Sequence, residues 1–376
     1  MRIAIIAGEP SGDRLGGALM EALAARREIV WCGIGAEDMT AAGLQPIFPQ
    51  DEISVMGIDA IIRQLPRLLG RIREAAAAVI AFRPDVLVIV DSPEFTHRVA
   101  KRVRRRLPHV PIVNYVSPTV WAWRPGRARA MVPYVDLVMA LFPFEPEVHA
   151  RLGGPRCVYV GHPLFERMRR PAVAGESLLV LPGSRRAEIE RLMPVFGEAL
   201  ARVAPREPVE ILAVPRLRER IEALAAAWSV PVTIRPGADK QAVFDRAKAA
   251  LAASGTVTME LAAARVPMVV AYKLDIAGRI VKRINHIVRI VTAPSMVLAN
   301  IVVGRNDIPA FLEEEVTAEA LAAALAPLLV DGTPERATQE RVFDEFAAAM
   351  QVDGSPAETA ADAVLSILPP ADGVRL

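Results

Sequence analysis

The sequence predicts an α/β protein with two parallel-sheet domains that face each other across a cleft. The chain has 376 residues, more than a single hydrophobic core usually serves. Short apolar runs alternate with helical segments in both halves, which is typical of βαβ units. Four short polar loops follow such runs, two in each half. Ligands of open parallel sheets bind beyond the carboxyl ends of the strands, so these loops are candidate binding loops.

The first half contains six predicted strands with helices between them. The clearest is 86–90, a continuous apolar run bounded by Pro84 and Pro93, as expected of a strand buried on both faces. The predicted strands lie at 2–7, 29–33, 86–90, 111–115, 135–140 and 157–160.

A polar, small-residue-rich segment at 168–177 is the predicted domain boundary. The first domain is expected over 1–168, a second over 176–335, and a helical tail over 336–376. The sequence allows this tail to pack back on the first domain. Strands of the second domain are predicted near Leu178 and at 209–214, 232–235, 249–253 and 268–272.

Composition excludes several classes of function. A formal net charge of only +2 argues against general nucleic-acid binding. The two cysteines, Cys32 and Cys157, form no CxxC motif, which favours a reducing compartment. The N-terminal residues lack the pattern of a signal peptide, and no uncharged apolar run is long enough to span a membrane. We therefore expect a cytoplasmic protein that is able to touch a membrane surface.

Two loops in the second half have the character of a nucleotide-diphosphate site. In ASGTVTMEL, a helix that begins at the SGT turn would direct its free N–H groups at a phosphate, and Gly255 would permit close approach. Glu260, about one helical turn later, would accept hydrogen bonds from ribose hydroxyls. In LPGSRRAEI, Arg185 would hold a phosphate or sugar oxygen. Ordinary helix capping remains the alternative for both loops.

Two loops in the first half have the character of an acceptor site. Asp91 directly follows a buried strand, which is a suitable place for a general base, although a carboxylate there also caps turns. In GEPSGD, Glu9 and Ser11 offer polar contacts and Gly12 permits close approach of a ligand. Trp123 lies beside two arginines, a combination that suits a sugar or phosphate-bearing substrate, with plain packing as the alternative.

Motifs that would hold a metal or a cofactor are absent from the sequence. It contains no D-x-D pair, no G-x-x-x-x-G-K-[ST] loop and no H-E-x-x-H. We therefore expect neither a metal nor a cofactor. A departing diphosphate would then be stabilised by backbone N–H groups, helix ends and arginine.

Two basic segments with an apolar side are candidate membrane contacts. The segment 55–72 mixes isoleucine and leucine with arginine, and we expect it to line an acyl-chain entry and to dock on the membrane. The segment 278–291 fits a helix with arginine, lysine and histidine on one side and isoleucine and valine on the other. Packing of the apolar side against a sheet is the alternative. The sequence leaves a homodimer open.

Taken in order, the motifs resemble the lipid-A-disaccharide synthase family. The resemblance extends from Ala7 to Arg305. The motifs are AGEPSGD, SVMGI, DSPEF, YVSPTVWAWRPGR, PFE, VGHPL, LPGSRRAEI, ASGTVTMEL, PMVVAYK and ANIVVGR.

The resemblance implies a GT-B glycosyltransferase with two Rossmann-like domains. Such an enzyme joins UDP-2,3-diacylglucosamine to 2,3-diacylglucosamine 1-phosphate with inversion, at the inner face of the cytoplasmic membrane. Asp91 matches the family's proposed base, Glu9 and Ser11 match its acceptor loop, and Asn300 matches a later Asn. The residues that match its UDP side are Arg185, Ser254, Gly255, Thr256 and Glu260.

Three positions depart from the family pattern, all in the C-terminal donor region. Ala299 stands where a Pro is usual, Asn306 where a Glu is usual, and Glu313 where a Gln is usual. Two alternatives stay open. One is another GT-B enzyme, such as a UDP-sugar epimerase or a different lipid-linked sugar transferase. The other is a non-catalytic, membrane-associated nucleotide-binding protein.

Overall fold

The protein was analysed as a computed structural model, which describes residues 1–53, 58–167, 175–274 and 295–368, without the side chains of 58–65, 167 and 239. The chain divides into two compact units. The first unit contains Met1–Pro163 together with the described residues from Val352 onward, and the second contains Leu164–Gln351.

The first unit is built on a six-stranded parallel sheet in the order β2-β1-β3-β4-β5-β6. Every strand predicted for this half is confirmed to within two residues. The strands are β1 (Arg2–Ala7), β2 (Val30–Ile34), β3 (Val86–Val90), β4 (Ile112–Tyr115), β5 (Leu137–Ala140) and β6 (Arg156–Tyr159). Alternate residues of β1 and β3 enter different hydrophobic clusters, so helices cover both faces of the sheet.

The helices of the first unit follow the strands in βαβ fashion. The last of them packs against the first and buries Ala360, Ala361 and Val364 in the core of this unit. The helices are α1 (Pro10–Ala24), α2 (Glu37–Ala41), α3 (Ile58–Phe82), α4 (Pro93–Arg106), α5 (Gly126–Met131), α6 (Glu145–Arg151) and α15 (Pro356–Ser366).

The second unit contains another six-stranded parallel sheet, in the order β12-β11-β10-β7-β8-β9. The strands are β7 (Ser177–Leu181), β8 (Val209–Ala213), β9 (Val232–Pro236), β10 (Ala247–Ala253), β11 (Met268–Tyr272) and β12 (Ala310–Leu312). β12 was not predicted, because its three half-buried residues at the sheet edge are too few to show an apolar period.

The helices of the second unit are α7 (Leu164–Arg167), α8 (Arg186–Val203), α9 (Arg218–Ala225), α10 (Lys240–Asp245), α11 (Thr256–Ala263), α12 (Leu298–Val303), α13 (Ala318–Leu325) and α14 (Pro334–Ala349). The buried Gln339 amide of α14 exchanges two hydrogen bonds with the backbone of Met268, at 2.8 and 3.0 Å. The predicted tail is therefore divided, with α14 in the second unit and α15 in the first. No helix in the described ranges is long and apolar enough to cross a membrane.

Candidate active site

Loops at the carboxyl edge of the second sheet enclose a pocket of about 450 Å³. The loops that follow β7, β8, β9 and β10 all contribute to it, because the carboxyl ends of parallel strands meet at one edge. The structure thus brings together the LPGSRRAEI and ASGTVTMEL motifs, about 70 residues apart in sequence. The predicted residues that line the pocket are Ser254, Gly255, Thr256 and Glu260.

The N-terminus of α11 opens into this pocket. Gly255 is the N-cap residue, and among the described residues no side chain caps the helix. A Cβ at Gly255 would have no atom of the described residues within 4 Å, so none of the chain that the structure describes fills the space beside this backbone. An anion in that space would meet the unpaired N–H groups and the positive end of the helix dipole.

The N-terminus of α8 is different because a carboxylate already lies there. Glu188 accepts a hydrogen bond from the Ser184 N–H at 3.1 Å, and its side chain packs directly on Gly183. Burial is the largest effect on the Glu188 carboxyl and raises its pKa. Hydrogen bonds from the backbone N–H groups of Ser184 and Arg185 lower this pKa by a smaller amount. Arg185 is exposed and is not among the residues that line the pocket. Among the residues that the structure describes, a carboxylate occupies the N-terminus of α8, and no side chain caps that of α11.

Glu260 forms an ion pair with Lys240, the first residue of α10, and both side chains line the pocket. Lys240 belongs to none of the motifs. Its position could have indicated it: Lys240 follows the carboxyl end of β9, and residues that follow β7, β8 and β10 of this sheet also line the pocket.

Asn300 lies outside the pocket lining and is 2% exposed. Its side-chain amide donates to the Ile308 carbonyl at 2.9 Å and accepts from the Ile308 N–H at 3.1 Å. It also donates to Ser295 Oγ at 3.4 Å, while Ser254 Oγ donates to the Met296 carbonyl at 3.1 Å. Asn300 thus anchors the segment that supports Ser254.

Two of the three departures from the family pattern have local explanations. Ala299 is the second residue of α12, where the backbone N–H has no helical acceptor, so Pro and Ala are both accommodated. The Glu313 carboxyl accepts the Leu274 N–H, a role that the oxygen of a Gln amide also fills. Asn306 is exposed, and nothing in the structure explains it.

In the first unit, Asp91 lies at the carboxyl end of β3 with a backbone strained into the left-handed region. Asp91 has φ +51° and Ser92 has φ +46°, an arrangement that clusters at functional sites. The Asp91 N–H donates to the Tyr115 carbonyl at 3.1 Å, and Thr96 Oγ1 donates to the Asp91 carbonyl at 2.7 Å. The carboxylate accepts the Ser92 N–H at 2.7 Å and remains half-buried.

The GEPSGD loop lies against this strand end. Partial burial and, second, the charge of Asp91 raise the pKa of Glu9, so the two carboxyl groups are electrostatic neighbours. Gln50, which no motif contains, is 3% exposed and donates to the Ala7 and Glu9 carbonyls at 3.0 and 3.3 Å. Sequence reasoning missed Gln50, because a hydrogen bond from a side-chain amide to a distant backbone carbonyl leaves no local pattern in the sequence.

The remaining residues of this loop have distinct environments. Ser11 is exposed in the first turn of α1. Gly12 is buried, and a Cβ there would meet Val90 at 3.4 Å, so this glycine packs the helix on the sheet rather than facing a ligand. Asp13 is 3% exposed and accepts the N–H groups of Ala36 and Asp38 at 2.6 and 2.9 Å.

A partly buried polar network links α4 to β4. His97 Nε2 lies 3.1 Å from Asn114 Oδ1, and His97 Nδ1 lies 3.0 Å from the Tyr134 hydroxyl. Asn114 Nδ2 donates to the Val116 carbonyl at 3.0 Å, which leaves Oδ1 as an acceptor and assigns the proton to His97 Nε2. Burial lowers the pKa of His97 to about 4.

Trp123 is half-buried, and its backbone N–H donates to the Thr119 carbonyl at 2.8 Å. The neighbouring Trp121 contacts Phe144 edge to face at 5.4 Å between ring centroids. Glu145, the first residue of α6, is 2% exposed and accepts the Phe142 N–H at 3.1 Å. Burial raises the pKa of Glu145 to about 7.

Of the two predicted membrane segments, the structure describes only part of 55–72 and none of 278–291. Ile72 of α3 is fully buried, and Leu68 and Leu69 pack on the core of the first unit, so this end of the helix has the packing role. The side chains of 58–65 and the whole of 278–291 lie outside the described residues.

Comparison with known proteins identifies the family. The family model for lipid-A-disaccharide synthetase matches residues 3–364. The lipid-A-disaccharide synthase of Rhodopseudomonas palustris strain HaA2 is 50% identical over 384 residues, which cover 98% of this chain and 96% of that protein. The chain belongs to this family. The match includes the GEPSGD and DSPEF loops of the first unit and the LPGSRRAEI and ASGTVTMEL loops of the second, and it places the protein among UDP-sugar glycosyltransferases.

The fold is that of GT-B enzymes. The glycosyltransferase of kitacinnamycin superposes with a TM-score of 0.62 at 17% identity, covering 98% of this chain and 99% of its own. The UDP-GlcNAc 2-epimerase of Methanocaldococcus jannaschii, solved with UDP-GlcNAc and UDP, has a TM-score of 0.57 at 14% identity, covering 97% and 100%. Transferases and epimerases share this fold, so the fold alone does not distinguish the two classes. The family match assigns this chain to the transferases.

Proposed function

We propose that the chain transfers the sugar of UDP-2,3-diacylglucosamine to 2,3-diacylglucosamine 1-phosphate, giving the β-1,6-linked disaccharide and UDP. The family supports a UDP-sugar donor and a lipid acceptor. The observation that supports the donor site is the pocket of about 450 Å³ to which both loop motifs of the second unit contribute, a size typical of small-molecule sites.

The donor diphosphate binds at the N-terminus of α11, with the ribose hydroxyls on Glu260. Support comes from the open space at Gly255 and from the carboxylate of Glu188, which already holds the N-terminus of α8. When the bond from the anomeric carbon to the diphosphate breaks, the oxygen of UDP keeps the electron pair. Backbone N–H groups of α11 and the exposed Arg185 then stabilise that charge.

The acceptor is activated in the first unit by Asp91. Its carboxylate removes the proton of the 6-hydroxyl while that oxygen forms the new bond to the anomeric carbon, on the face opposite the leaving UDP. The half-buried carboxylate at a strand end and the strained backbone support this role. Glu9, Ser11 and Trp123 are proposed to orient the acceptor.

The test is to incubate the purified protein with both acylated substrates, without added metal, and to detect products by mass spectrometry. Disaccharide and UDP in equal amounts are expected. UDP without disaccharide would indicate hydrolysis or another acceptor. Epimerised donor, or bound UDP with no product, would contradict the transferase and favour one of the two alternatives.

Peripheral association with the inner face of the cytoplasmic membrane is proposed from the acylated substrates and from the basic, apolar first half of α3. Ile62→Gln with Leu65→Gln should lower the fraction of protein that floats with anionic vesicles. Val330→Gln is the matched control, because Val330 is 58% exposed and lies outside that helix. Unchanged flotation of the α3 variant would contradict the assignment.

A further inference from the structure

We infer that Lys240 is a positioning residue for the donor nucleotide, which holds the Glu260 carboxylate in place and offsets its charge. The inference rests on the proposed donor site and adds a residue that lies outside every motif. Lys240 begins α10, directly after the turn that follows β9, and its ammonium pairs with a carboxylate on α11.

The pair is placed where a ligand would contact it. Both side chains line the pocket, Lys240 with 38% of its side chain exposed and Glu260 with 18%. The Lys240 Nζ also lies 5.7 Å from the centroid of the buried Phe244 ring, within cation–π range. The ammonium thus has two described partners, the Glu260 carboxylate and the Phe244 ring.

The charge balance of the pocket requires this cation. Its charged lining residues, among those that the structure describes, are Glu188, Glu260 and Lys240. Two carboxylates would repel a nucleoside diphosphate, and a carboxylate as buried as Glu260 is costly without a partner. Lys240 cancels one of the two charges, and burial raises the pKa of the other carboxyl, Glu188, above its ordinary value.

The ion pair also orients the Glu260 carboxylate for the two hydroxyl groups of a ribose. Lys240 contacts Oε2 of Glu260, which leaves Oε1 to accept from a ribose hydroxyl. A fixed carboxylate loses less conformational freedom on binding than a mobile one.

The experiment measures UDP affinity by calorimetry, and donor KM and kcat for wild type, Lys240→Met and Lys240→Arg. Lys240→Met should weaken UDP binding and raise the donor KM by about tenfold, as for loss of a charge-assisted contact. The kcat should stay within about twofold, since the contact is made equally in ground and transition states. Lys240→Arg should restore most of the affinity.

Two further variants separate positioning from plain structure. In a Glu260→Gln background, Lys240→Met should add little further loss, because the lysine acts through that carboxylate. Lys248→Met is the matched control: Lys248 is 17% exposed, pairs with Glu207 at 3.2 Å and does not line the pocket. Its UDP affinity should equal that of wild type, whatever its folding stability.

Equal UDP affinity in wild type and Lys240→Met would overturn the inference, as would a Lys240→Arg variant no better than Lys240→Met. Lys240→Gln, which removes the charge but keeps a donor, gives the same comparison if Lys240→Met does not fold. Failure of the wild type itself to bind UDP would instead overturn the proposed donor site.

Discussion

Gly8 and Ser92 are packed in direct contact, so that a Cβ atom at Gly8 would stand 2.3 Å from the Ser92 Cβ and 2.5 Å from its Oγ. β1 and β3 are adjacent parallel strands in which Ala7 pairs with Val90. The loops that follow them are therefore closed against each other, and this contact sets Glu9 beside Asp91.

Gly8→Ala should lower both stability and turnover. The Ser92 Cβ is too near its own backbone to move aside, so the two loops must separate, at a cost of about 1–3 kcal/mol. Urea unfolding and steady-state rates measure the two effects. Gly70→Ala in α3 is the control: no described atom lies within 4 Å of the new methyl, and alanine favours the helix. Normal turnover in Gly8→Ala would show that the contact is dispensable.

Asp91→Asn should lower kcat by about 100-fold or more, the usual contribution of a general base. Its UDP affinity should not change, because the predicted UDP residues all lie in the second unit. Single-turnover rates and calorimetry on the same preparation measure both quantities. Near-normal turnover would refute the assignment of Asp91 as the base.

Gly255→Ala should weaken UDP binding by about tenfold, because its methyl group enters the space where a phosphate would approach the backbone. The φ of +157° adds backbone strain of about 1 kcal/mol. Gly332→Ala is the matched control, with φ +79°, no described atom within 4 Å and a place in the same unit outside the pocket. If both variants bind UDP like wild type, the diphosphate does not lie on α11.

Glu145→Gln should remove one pH-dependent contribution to stability. Burial raises the pKa of Glu145 from 4.5 to about 7, so the folded state binds more protons than the unfolded state between these values. The contribution of Glu145 to the free energy of unfolding is therefore present below pH 4.5 and is lost as the pH rises through 7, by about 3 kcal/mol in total.

Urea unfolding of wild type and Glu145→Gln at pH 5 and at pH 7.5 measures this difference. Burial lowers the pKa of His97 and of His162 to about 4, which gives a slope of opposite sign below pH 6.5. These histidines are present in both proteins, so their effect cancels in the comparison. If the free energy of unfolding changed equally with pH in wild type and variant, the raised pKa of Glu145 would be contradicted.

The parallel strands and their end loops were predictable because their signals are local. An apolar run such as 86–90 is buried wherever it packs, and a polar residue directly after it, such as Asp91, must emerge at the carboxyl edge. The same logic placed Gly255 and Glu260 at the edge of the second sheet. β12 was missed, because three residues are too few to form a period.

Tertiary structure alone decided which of these side chains are free for a ligand. Lys240 pairs with Glu260, Gln50 binds the backbone of the Glu9 loop, and Glu188 occupies a helix end that resembled a phosphate site. Gly12 and Asn300 are buried in packing roles. These pairings and burials depend on which residues, far apart in sequence, come close together in the fold. A local stretch of sequence shows only helix or strand propensity and the period of its apolar residues.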